Sequence, residues 1–337
     1  MNILFVGGTG IISHACVTEA LGTGHDVWTL SRGHSQLPNQ VGSRALIADA
    51  SDEEQVRHAI KGLDFDAVIQ WTAYGPAQVT KDIALYANAG QYVFISTASA
   101  YQKPPPHWLI TEETPLANPF WQYSRDKIAS EEVLFAAHAS TGFPVTVIRP
   151  SLTYGVSQIP VAIGSWERPF TIIERMRRGA KILVPGDGTS IWTLTHNSDL
   201  ARGLIALLAH PGAIGEDFHI TSEEALTWNQ IYQLLAEAAG VDADFLHVPS
   251  DALVAADPEL LGTLWGDKSN SAVFDNSKLR RYVPDFQARV PFAQGITETV
   301  RWFDADAQRQ GIDHEANALW DHLAAIYADA LVRSAHR

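Results

Sequence analysis

Residues 6–13 read Val6-Gly7-Gly8-Thr9-Gly10-Ile11-Ile12-Ser13 and lie between an apolar run and the start of a helical pattern. Gly7 suits the tight turn from strand to helix, and Gly10 lets the backbone approach a pyrophosphate at the helix N-terminus. Ser13 stands where a third glycine is usual, and its small side chain still allows a helix to pack closely on a strand. Because the loop joins a first strand to a first helix, we interpret it as a dinucleotide-binding loop rather than as an ordinary glycine turn.

Apolar strand patterns alternate with helix patterns through the N-terminal half of the chain. We predict strands at Asn2–Val6, Asp26–Ser31, Ala45–Ala48, Ala67–Trp71, Tyr92–Ser96 and Val145–Arg149. We predict helices at Gly10–Leu21, Asp52–Lys61, Gln78–Ala89 and Gln122–His138. Strands that are separated by helices pair in parallel through right-handed crossovers. The pattern therefore predicts an α/β fold, a Rossmann-type doubly wound parallel sheet with helices on both faces.

The alternation loosens after Pro150, where mostly helical patterns follow. Helices are predicted at Pro169–Arg178, Asn197–Ala209, Thr227–Ala239, Pro291–Gln308 and His314–Arg333, and a strand at Lys181–Pro185. We expect residues 1–155 to form the dinucleotide-binding domain, with residues 190–215 returning to it. Residues 156–337 are then expected to form mainly a smaller, mostly helical C-terminal domain that binds the substrate.

Composition limits the classes of partner. The 337-residue chain is 46% hydrophobic and 18% charged, as in ordinary globular proteins. A formal net charge of -14, with basic residues no more clustered than in short pairs, argues against a nucleic-acid partner. The one cysteine, Cys16, rules out a disulfide framework and a cysteine metal cluster, and we expect no metal. No apolar run is long enough to span a membrane and no signal peptide precedes the first strand, so we expect a cytoplasmic protein without membrane contact.

The end of the second predicted strand bears on the choice between NAD and NADP. It reads Leu30-Ser31-Arg32-Gly33, where an NAD site would place an acidic residue on the ribose 2′-hydroxyl. Ser31 and Arg32 suit a 2′-phosphate instead, so we favour NADP over NAD; the alternative is that Arg32 is only a solvated loop cation. Asp49, after the third strand, is placed either to accept from the adenine amino group or to cap the helix that starts near Ser51.

Tyr123 and Lys127 stand at i and i+4 of a predicted helix, which aligns them on one face. A tyrosine with a pKa of ~10 is a poor base at neutral pH. A nearby ammonium and the positive charge of an oxidised nicotinamide favour the phenolate, which can exchange a proton with an alcohol or carbonyl oxygen. Lys127 can also hydrogen-bond the nicotinamide ribose. Tyr-x-x-x-Lys is common, so the position of this pair after the fifth strand is what makes it informative.

The fifth strand runs into Ser96-Thr97-Ala98-Ser99-Ala100-Tyr101. A hydroxyl group at the carboxyl end of this strand would orient the substrate oxygen beside Tyr123. We favour Thr97 for this role, with Ser96 and Ser99 as competitors, although each could instead cap a turn.

One combination of motifs supports a family resemblance. It consists of Gly7-x-x-Gly10, Asp49, Thr97, Tyr123-x-x-x-Lys127 and Arg149-Pro150 in this order. The chain thereby resembles an extended or atypical short-chain dehydrogenase/reductase, and more narrowly the NAD-dependent epimerase/dehydratase family, which acts largely on nucleotide sugars. The resemblance covers about residues 1–210 well. It implies a doubly wound N-terminal domain, a smaller substrate domain and a structural role for Asp199 at the start of a helix.

Site residues are assigned on the motifs and the resemblance together. The expected catalytic residues are Tyr123, Lys127 and Thr97. The expected cofactor contacts are Gly7, Gly8, Thr9, Gly10, Ile11, Ser31, Arg32, Asp49, Ala50, Trp71, Thr72, Ala73, Ser96, Tyr123, Lys127, Pro150, Ser151 and Leu152. Candidate substrate contacts are Ser99, Tyr101, Trp192 and His196, with a buried core position as the alternative for Trp192.

The residues after Thr97 reduce the number of reactions that this chain could catalyse. Nucleotide-sugar 4,6-dehydratases of the resembled family need an Asp-Glu pair there, and this chain has Ala98-Ser99, which cannot do acid or base work. An epimerase-like enzyme acting on a nucleotide sugar is therefore expected, and an NADPH-dependent ketone or aldehyde reductase is the alternative. A second alternative is an NADP-binding regulator or an RNA-binding relative. By analogy with the superfamily, helices Gln78–Ala89 and Tyr123–His138 are expected to form a four-helix bundle in a homodimer.

Overall fold

The structure, a computed structural model, describes residues 1–34 and 40–335. The strands are β1 (Asn2–Val6), β2 (Asp26–Ser31), β3 (Arg44–Ile47), β4 (Ala67–Gln70), β5 (Gln91–Ile95), β6 (Leu109–Ile110), β7 (Val145–Ile148), β8 (Leu152–Tyr154), β9 (Ile182–Pro185), β10 (Ile191–His196), β11 (Asp217–Phe218), β12 (Ala225–Thr227), β13 (Phe245–Val248) and β14 (Val273–Phe274). The helices are α1 (Ile11–Gly22), α2 (Glu53–Ala59), α3 (Pro76–Leu85), α4 (Gln122–Thr141), α5 (Thr171–Arg177), α6 (Asn197–Leu207), α7 (Trp228–Ala239), α8 (Ser250–Ala256), α9 (Leu260–Thr263), α10 (Ser277–Tyr282), α11 (Phe292–Asp304) and α12 (His314–Ala335).

The central sheet has seven strands in the order β11-β7-β5-β4-β1-β2-β3, and every neighbouring pair is parallel. The predicted doubly wound parallel sheet is thus confirmed. The strand order reverses direction between β1 and β4, and ligands of such sheets bind outside the carboxyl ends of the strands at this point. The Gly7–Gly10 loop leaves β1 at that place.

Apolar side chains cover both faces of this sheet. On one face α1 and α6 bury Val17, Leu200 and Leu204 against β1 and β4. On the other face α2, α3 and α4 contribute Val56, Val79 and Leu134. The strands between these layers are mainly apolar because both of their faces are buried, and Gln70, Gln91 and Thr146 are buried polar exceptions.

Local chemistry sets several helix ends. α3 begins at Pro76, earlier than the predicted Gln78, because proline is suited to the first helical position. α4 continues to Thr141, beyond the predicted His138, and ends at Gly142, whose φ of 74° is left-handed. α7 begins after Thr227, whose hydroxyl accepts from the amide of Gln230 in a capping box.

The C-terminal half returns partly to the sheet. α6 packs on α1, and β11 extends the central sheet beside β7. The remaining segments bury a second cluster around Trp228, Tyr232 and Phe303, and a third around Leu253 and Trp320. Short strands that the patterns did not predict, among them β10, β12 and β14, run through this half. No helix in the described ranges is long and apolar enough to cross a bilayer.

Candidate active site

Two adjoining cavities open at the carboxyl ends of the central strands. We call the first, of about 860 Å³, the loop cleft; it follows the Gly7–Gly10 loop and the end of β2. We call the second, of about 550 Å³, the tyrosine cavity; it surrounds Tyr123 and Lys127. Five residues line both and mark where they meet: Ile12, Trp71, Tyr74, Thr153 and Trp166. Their volumes are in the range of ligand sites.

The glycine loop is shaped for close approach. Gly7 has φ of 88°, and a Cβ atom there would lie 2.5 Å from Cγ2 of Thr72. Ser13, at the usual third-glycine position, donates to the carbonyl of Gly7 at 2.7 Å and accepts from the amide of Gly10 at 2.9 Å. The Ser13 side chain therefore stabilises the loop. The first turn of α1 faces the cleft, and its backbone amides have no carbonyl groups of an earlier helical turn to which they could donate. Such a turn suits an anion.

The far end of the loop cleft is polar. Ser31, Arg32 and His34 line it together with Asp49 and Ala50. The carboxylate of Asp49 accepts from the amide of Ser51 at 2.9 Å and from its hydroxyl at 2.7 Å. These two hydrogen bonds lower the pKa of Asp49, and the positive charge of Arg32 lowers it by a smaller amount. Asp52, not Asp49, caps the following helix, so of the two roles considered for Asp49 the capping role is wrong.

The turn after β4 joins the two cavities. Gln70 accepts from the amide of Thr72 at 2.8 Å and donates to Asp82 at 2.8 Å inside the protein. This buried support for the Trp71–Ala73 segment was missed from the sequence, although a glutamine at the end of a buried strand was a signal. Trp71 lines both cavities, and its indole nitrogen is buried without a hydrogen-bond partner in the described structure, so it can donate to a ligand.

Tyr123 and Lys127 lie on the first turns of α4 and both line the tyrosine cavity. The Lys127 ammonium donates to the carbonyl oxygens of Ala73 and Ile95, each at 2.7 Å, and lies 5.9 Å from the centre of the Tyr123 ring. Burial lowers the pKa of Lys127 to about 7, while the nearby Glu131 acts in the opposite direction. Burial raises the pKa of Tyr123 to about 12, which a hydrogen bond with Thr97 partly opposes.

The three candidate hydroxyls at the end of β5 have different partners. Thr97 lines the cavity and lies close enough to Tyr123 to lower the pKa of its phenol. Its hydroxyl lies 2.9 Å from the Ser99 hydroxyl and also caps the turn at 98–100 by accepting from the Ser99 amide. The Ser99 hydroxyl in turn lies within hydrogen-bonding distance of the Ser124 hydroxyl, at 2.7 Å. Ser96 donates to Glu131 instead. Of the three, Thr97 is the one placed against the phenol.

A buried ion pair lies beside Ser96, and it too was not predicted from the sequence. Arg149 and Glu131 pair at 2.6 Å with side chains that are 3% and 1% exposed. Arg149 also pairs with Asp217 on β11 and donates to the Tyr101 hydroxyl at 3.3 Å. Glu131 follows Lys127 by four residues, so the i, i+4 spacing was a signal that both lie on one face of the helix.

The structure does not bring every predicted residue to the cavities. Tyr101 is fully buried and its hydroxyl bonds His219 and Arg149, outside the residues that line either cavity. His196 caps α6, again outside the described linings. Trp192 is buried and donates to the carbonyl of Asn270 at 2.9 Å, yet it does line the tyrosine cavity.

The remaining predicted contacts fall into three groups. Pro150, Ser151 and Leu152 line the tyrosine cavity, and Thr9, Ile11 and Thr72 line the loop cleft. Gly8 and Ala73 lie beside these linings: a Cβ atom on Gly8 would lie 2.7 Å from Thr29, and Ala73 offers its carbonyl to Lys127. Asp199 lies buried in the first turn of α6 and accepts from the amides of residues 289 and 290, while His196 rather than Asp199 caps the helix.

Comparisons with known proteins identify the family of the chain and its fold. A sequence model of the NAD dependent epimerase/dehydratase family matches residues 3–221. The chain is 27% identical over 311 residues to the 2'-dehydrokanamycin reductase of Streptomyces kanamyceticus, covering 90% of this chain and 84% of the relative. It is 31% identical over 231 residues to a dTDP-glucose 4,6-dehydratase of Actinoplanes sp., covering 68% of this chain and 65% of the relative. The structure of the Thermus thermophilus UDP-glucose 4-epimerase in complex with NAD has the same fold, with a TM-score of 0.71 at 21% identity over 90% of this chain and 99% of that one.

Proposed function

The chain belongs to the NAD-dependent epimerase/dehydratase family, and we propose that it is an epimerase-like enzyme that interconverts a secondary alcohol and a ketone on a nucleotide-sugar substrate. The observation that carries this proposal is the meeting of Thr97, Tyr123 and Lys127 in a buried cavity that adjoins a glycine-loop cleft. The relatives named as a dehydratase and an epimerase support a nucleotide-sugar substrate.

The cleft fits a nicotinamide dinucleotide. The first turn of α1 suits the pyrophosphate, the unpartnered indole of Trp71 offers a donor where the two cavities meet, and Pro150–Leu152 leave an apolar wall beside Lys127. When bound, the nicotinamide exchanges a hydride with the substrate carbon. The residues of this chain hold the substrate oxygen and move its proton.

Tyr123 is the proposed acid and base. With a pKa of about 12 its phenol is protonated at neutral pH, so it can give a proton to a ketone oxygen as that carbon is reduced. The reverse direction needs the phenolate, which Lys127 would favour in its charged form, with its amine 5.9 Å from the centre of the Tyr123 ring. Thr97 holds the same substrate oxygen through its hydroxyl. An epimerase uses both directions in turn, so a proton removed in oxidation returns in reduction.

We do not propose for this chain the dehydration reaction after which one of the relatives is named. The positions after Thr97 hold Ala98 and Ser99, and the hydroxyl of Ser99 is occupied by its neighbours. Among the described residues that line the tyrosine cavity the carboxylate is Asp267, and it is paired with two lysines. No free carboxyl group among these lining residues is therefore in place to protonate a leaving hydroxyl.

A net ketone reductase is the second candidate, and the end of β2 favours it. Ser31 and Arg32 line the loop cleft where a 2′-phosphate would lie, which supports NADP, the cofactor of most reductions. The reductase relative, which matches 90% of this chain, supports the same candidate.

Cofactor identification separates the two candidates. The purified protein is denatured and the supernatant assayed for NAD and NADP. We expect retained NAD for an epimerase, which must keep its cofactor through a cycle, whereas an empty protein that selects NADPH indicates a reductase.

An Arg32→Ser variant tests the contact with the 2′-phosphate. Its affinity for NADPH should fall by about tenfold, the size of one charge-assisted contact, and its affinity for NADH should not change. The matched control is Arg57→Ser, an exposed arginine that pairs with Glu53 within α2. Binding of neither dinucleotide would overturn both candidates.

A further inference from the structure

Two buried lysines line one wall of the tyrosine cavity, and residues 267–274 contribute to the same wall. Lys103 follows the turn after β5, and Lys268 ends a π-helical turn, Leu264–Lys268. Their side chains are 1% and 8% exposed. Each amine has Asp267 as its ionic partner, at 3.6 and 3.8 Å. Neither amine lies within ion-pairing distance of a second acidic side chain in the described ranges.

With both amines protonated, the cluster carries one more positive charge than negative charge. Burial lowers the pKa of both lysines, and Asp267 opposes this for both. Buried charges are usually paired and hydrogen-bonded, because burial without a partner is costly. Here two ammonium groups share one carboxylate at distances longer than a hydrogen bond. A singly charged anion in the cavity would balance them.

The cluster is also fixed close to the reacting hydroxyls. Asn118 donates to the carbonyl oxygens of Gly266 at 2.7 Å and of Ser99 at 2.8 Å, and to the Ser124 hydroxyl at 3.2 Å. One side chain thus ties the segment that carries Asp267 and Lys268 to the turn after Thr97 and to the first turn of α4. Asp267 is close enough to raise the pKa of Tyr123 slightly.

We propose that Lys103 and Lys268 form an anion subsite that binds a carboxylate carried by the substrate near the carbon that reacts at Tyr123. This rests on the proposed function for the identity of the reacting group. Asp267 holds the two amines in place and leaves the cluster with a net charge of one. That charge matches a carboxylate better than a phosphate monoester, which carries up to two.

Matched ligand pairs test the charge preference. Calorimetric binding to the cofactor-loaded protein compares UDP-glucuronate with UDP-glucose, and a 3-oxo acid with its methyl ester, so that each pair differs in one carboxylate. We expect the acid to bind more tightly by about tenfold or more in at least one pair, as for a buried charge contact. Lys103→Met and Lys268→Met should each reduce that ratio to about threefold or less. Lys61→Met, an exposed lysine after α2, is the control and should keep the wild-type ratio.

Several results would overturn the subsite. They are equal binding within both pairs, no binding of either acid, a preference that survives both methionine substitutions, and stronger competition by inorganic phosphate than by acetate at equal ionic strength. Dinucleotide affinity is measured in the same preparations, and the titrations are repeated without cofactor. If the dinucleotide does not bind, the proposed function fails. If it binds and only the carboxylate preference is absent, the subsite alone fails. Unchanged dinucleotide affinity in the lysine variants shows that they are folded.

Discussion

At the scale of single residues, burial disfavours the charged forms of both Tyr123 and Lys127, so it shifts their pKa values in opposite directions. Burial keeps the Tyr123 phenol neutral and draws the Lys127 pKa down to about 7. A protein that carries out both oxidation and reduction needs a phenol that can gain and lose its proton. The positive charge of Lys127 and the hydroxyl of Thr97 are the groups in place to assist the loss.

Tyr123→Phe should lower turnover by about a hundredfold to ten-thousandfold, the usual contribution of a positioned proton donor. In alcohol oxidation, wild-type kcat/KM should rise with pH about tenfold per unit below the pKa of the phenol, because the base is the phenolate. The rise should vanish in Tyr123→Phe. In Lys127→Met the rate of alcohol oxidation should fall most below about pH 7, where the wild-type amine is charged and favours the phenolate. Rates of both reactions over pH measure these effects.

The control for this prediction is Tyr282→Phe. Tyr282 lies outside both cavity linings, and its ring packs against Phe218, a contact that phenylalanine retains. Full activity of Tyr123→Phe on the true substrate would remove Tyr123 from the mechanism.

At the scale of elements, the β1-to-α1 connection depends on a backbone that only glycine adopts readily. Gly7 is left-handed, its neighbour Thr72 leaves no room for a Cβ atom, and Ser13 ties the loop to the first turn of α1. The same loop supplies the helix end that faces the cleft. Cofactor affinity and the local stability of the loop are therefore coupled.

Gly7→Ala should weaken dinucleotide binding by about tenfold or more and lower the free energy of unfolding by about 1–2 kcal/mol, the cost of a left-handed backbone for a residue with a Cβ atom. Gly22→Ala is the matched control, because Gly22 ends α1 with nothing within 4 Å of an added Cβ atom. It should bind normally and unfold at the same denaturant concentration or higher. Fluorescence titration and urea unfolding measure the two effects, and equal binding by both variants would contradict the role of the loop.

At the scale of the whole molecule, a buried ion pair connects α4 to the edge of the sheet at β11. Glu131 on α4 bonds Ser96 after β5 and pairs with Arg149 after β7, and Arg149 pairs with Asp217 on β11. Elements from both halves of the chain therefore meet at one charge cluster behind the tyrosine cavity.

Glu131→Gln should lower the free energy of unfolding by about 3 kcal/mol, because it leaves a buried Arg149 with Asp217 as its remaining ionic partner. Arg149→Met should cost a similar amount by leaving Glu131 unpaired. The double variant should cost less than the sum by about 1–3 kcal/mol, since no charge is left stranded. Glu53→Gln, in an exposed pair, should cost less than about 0.5 kcal/mol. Urea unfolding measures all four, and additive costs would contradict the coupling.

Local patterns were enough to predict the sheet and the glycine loop. Strand and helix periods, the prolines and glycines at element ends and the motif spacing are properties of neighbouring residues, so they are readable along the chain. The same holds for Tyr123 and Lys127, whose i, i+4 spacing places them on one helix face. The predicted homodimer, the domain limits and the catalytic roles stay predictions.

The tertiary structure alone decided which distant side chains share a cavity. Lys103 and Lys268 are far apart in sequence and meet through Asp267, and Tyr101 lies next to the motif in sequence yet points into a buried network. The order of residues along the chain was enough to predict the parallel sheet, the loop after β1 and the tyrosine–lysine pair, because local backbone preferences and side-chain periodicity encode them. It could not determine the far wall of the cavity, because long-range packing sets which charges are buried together.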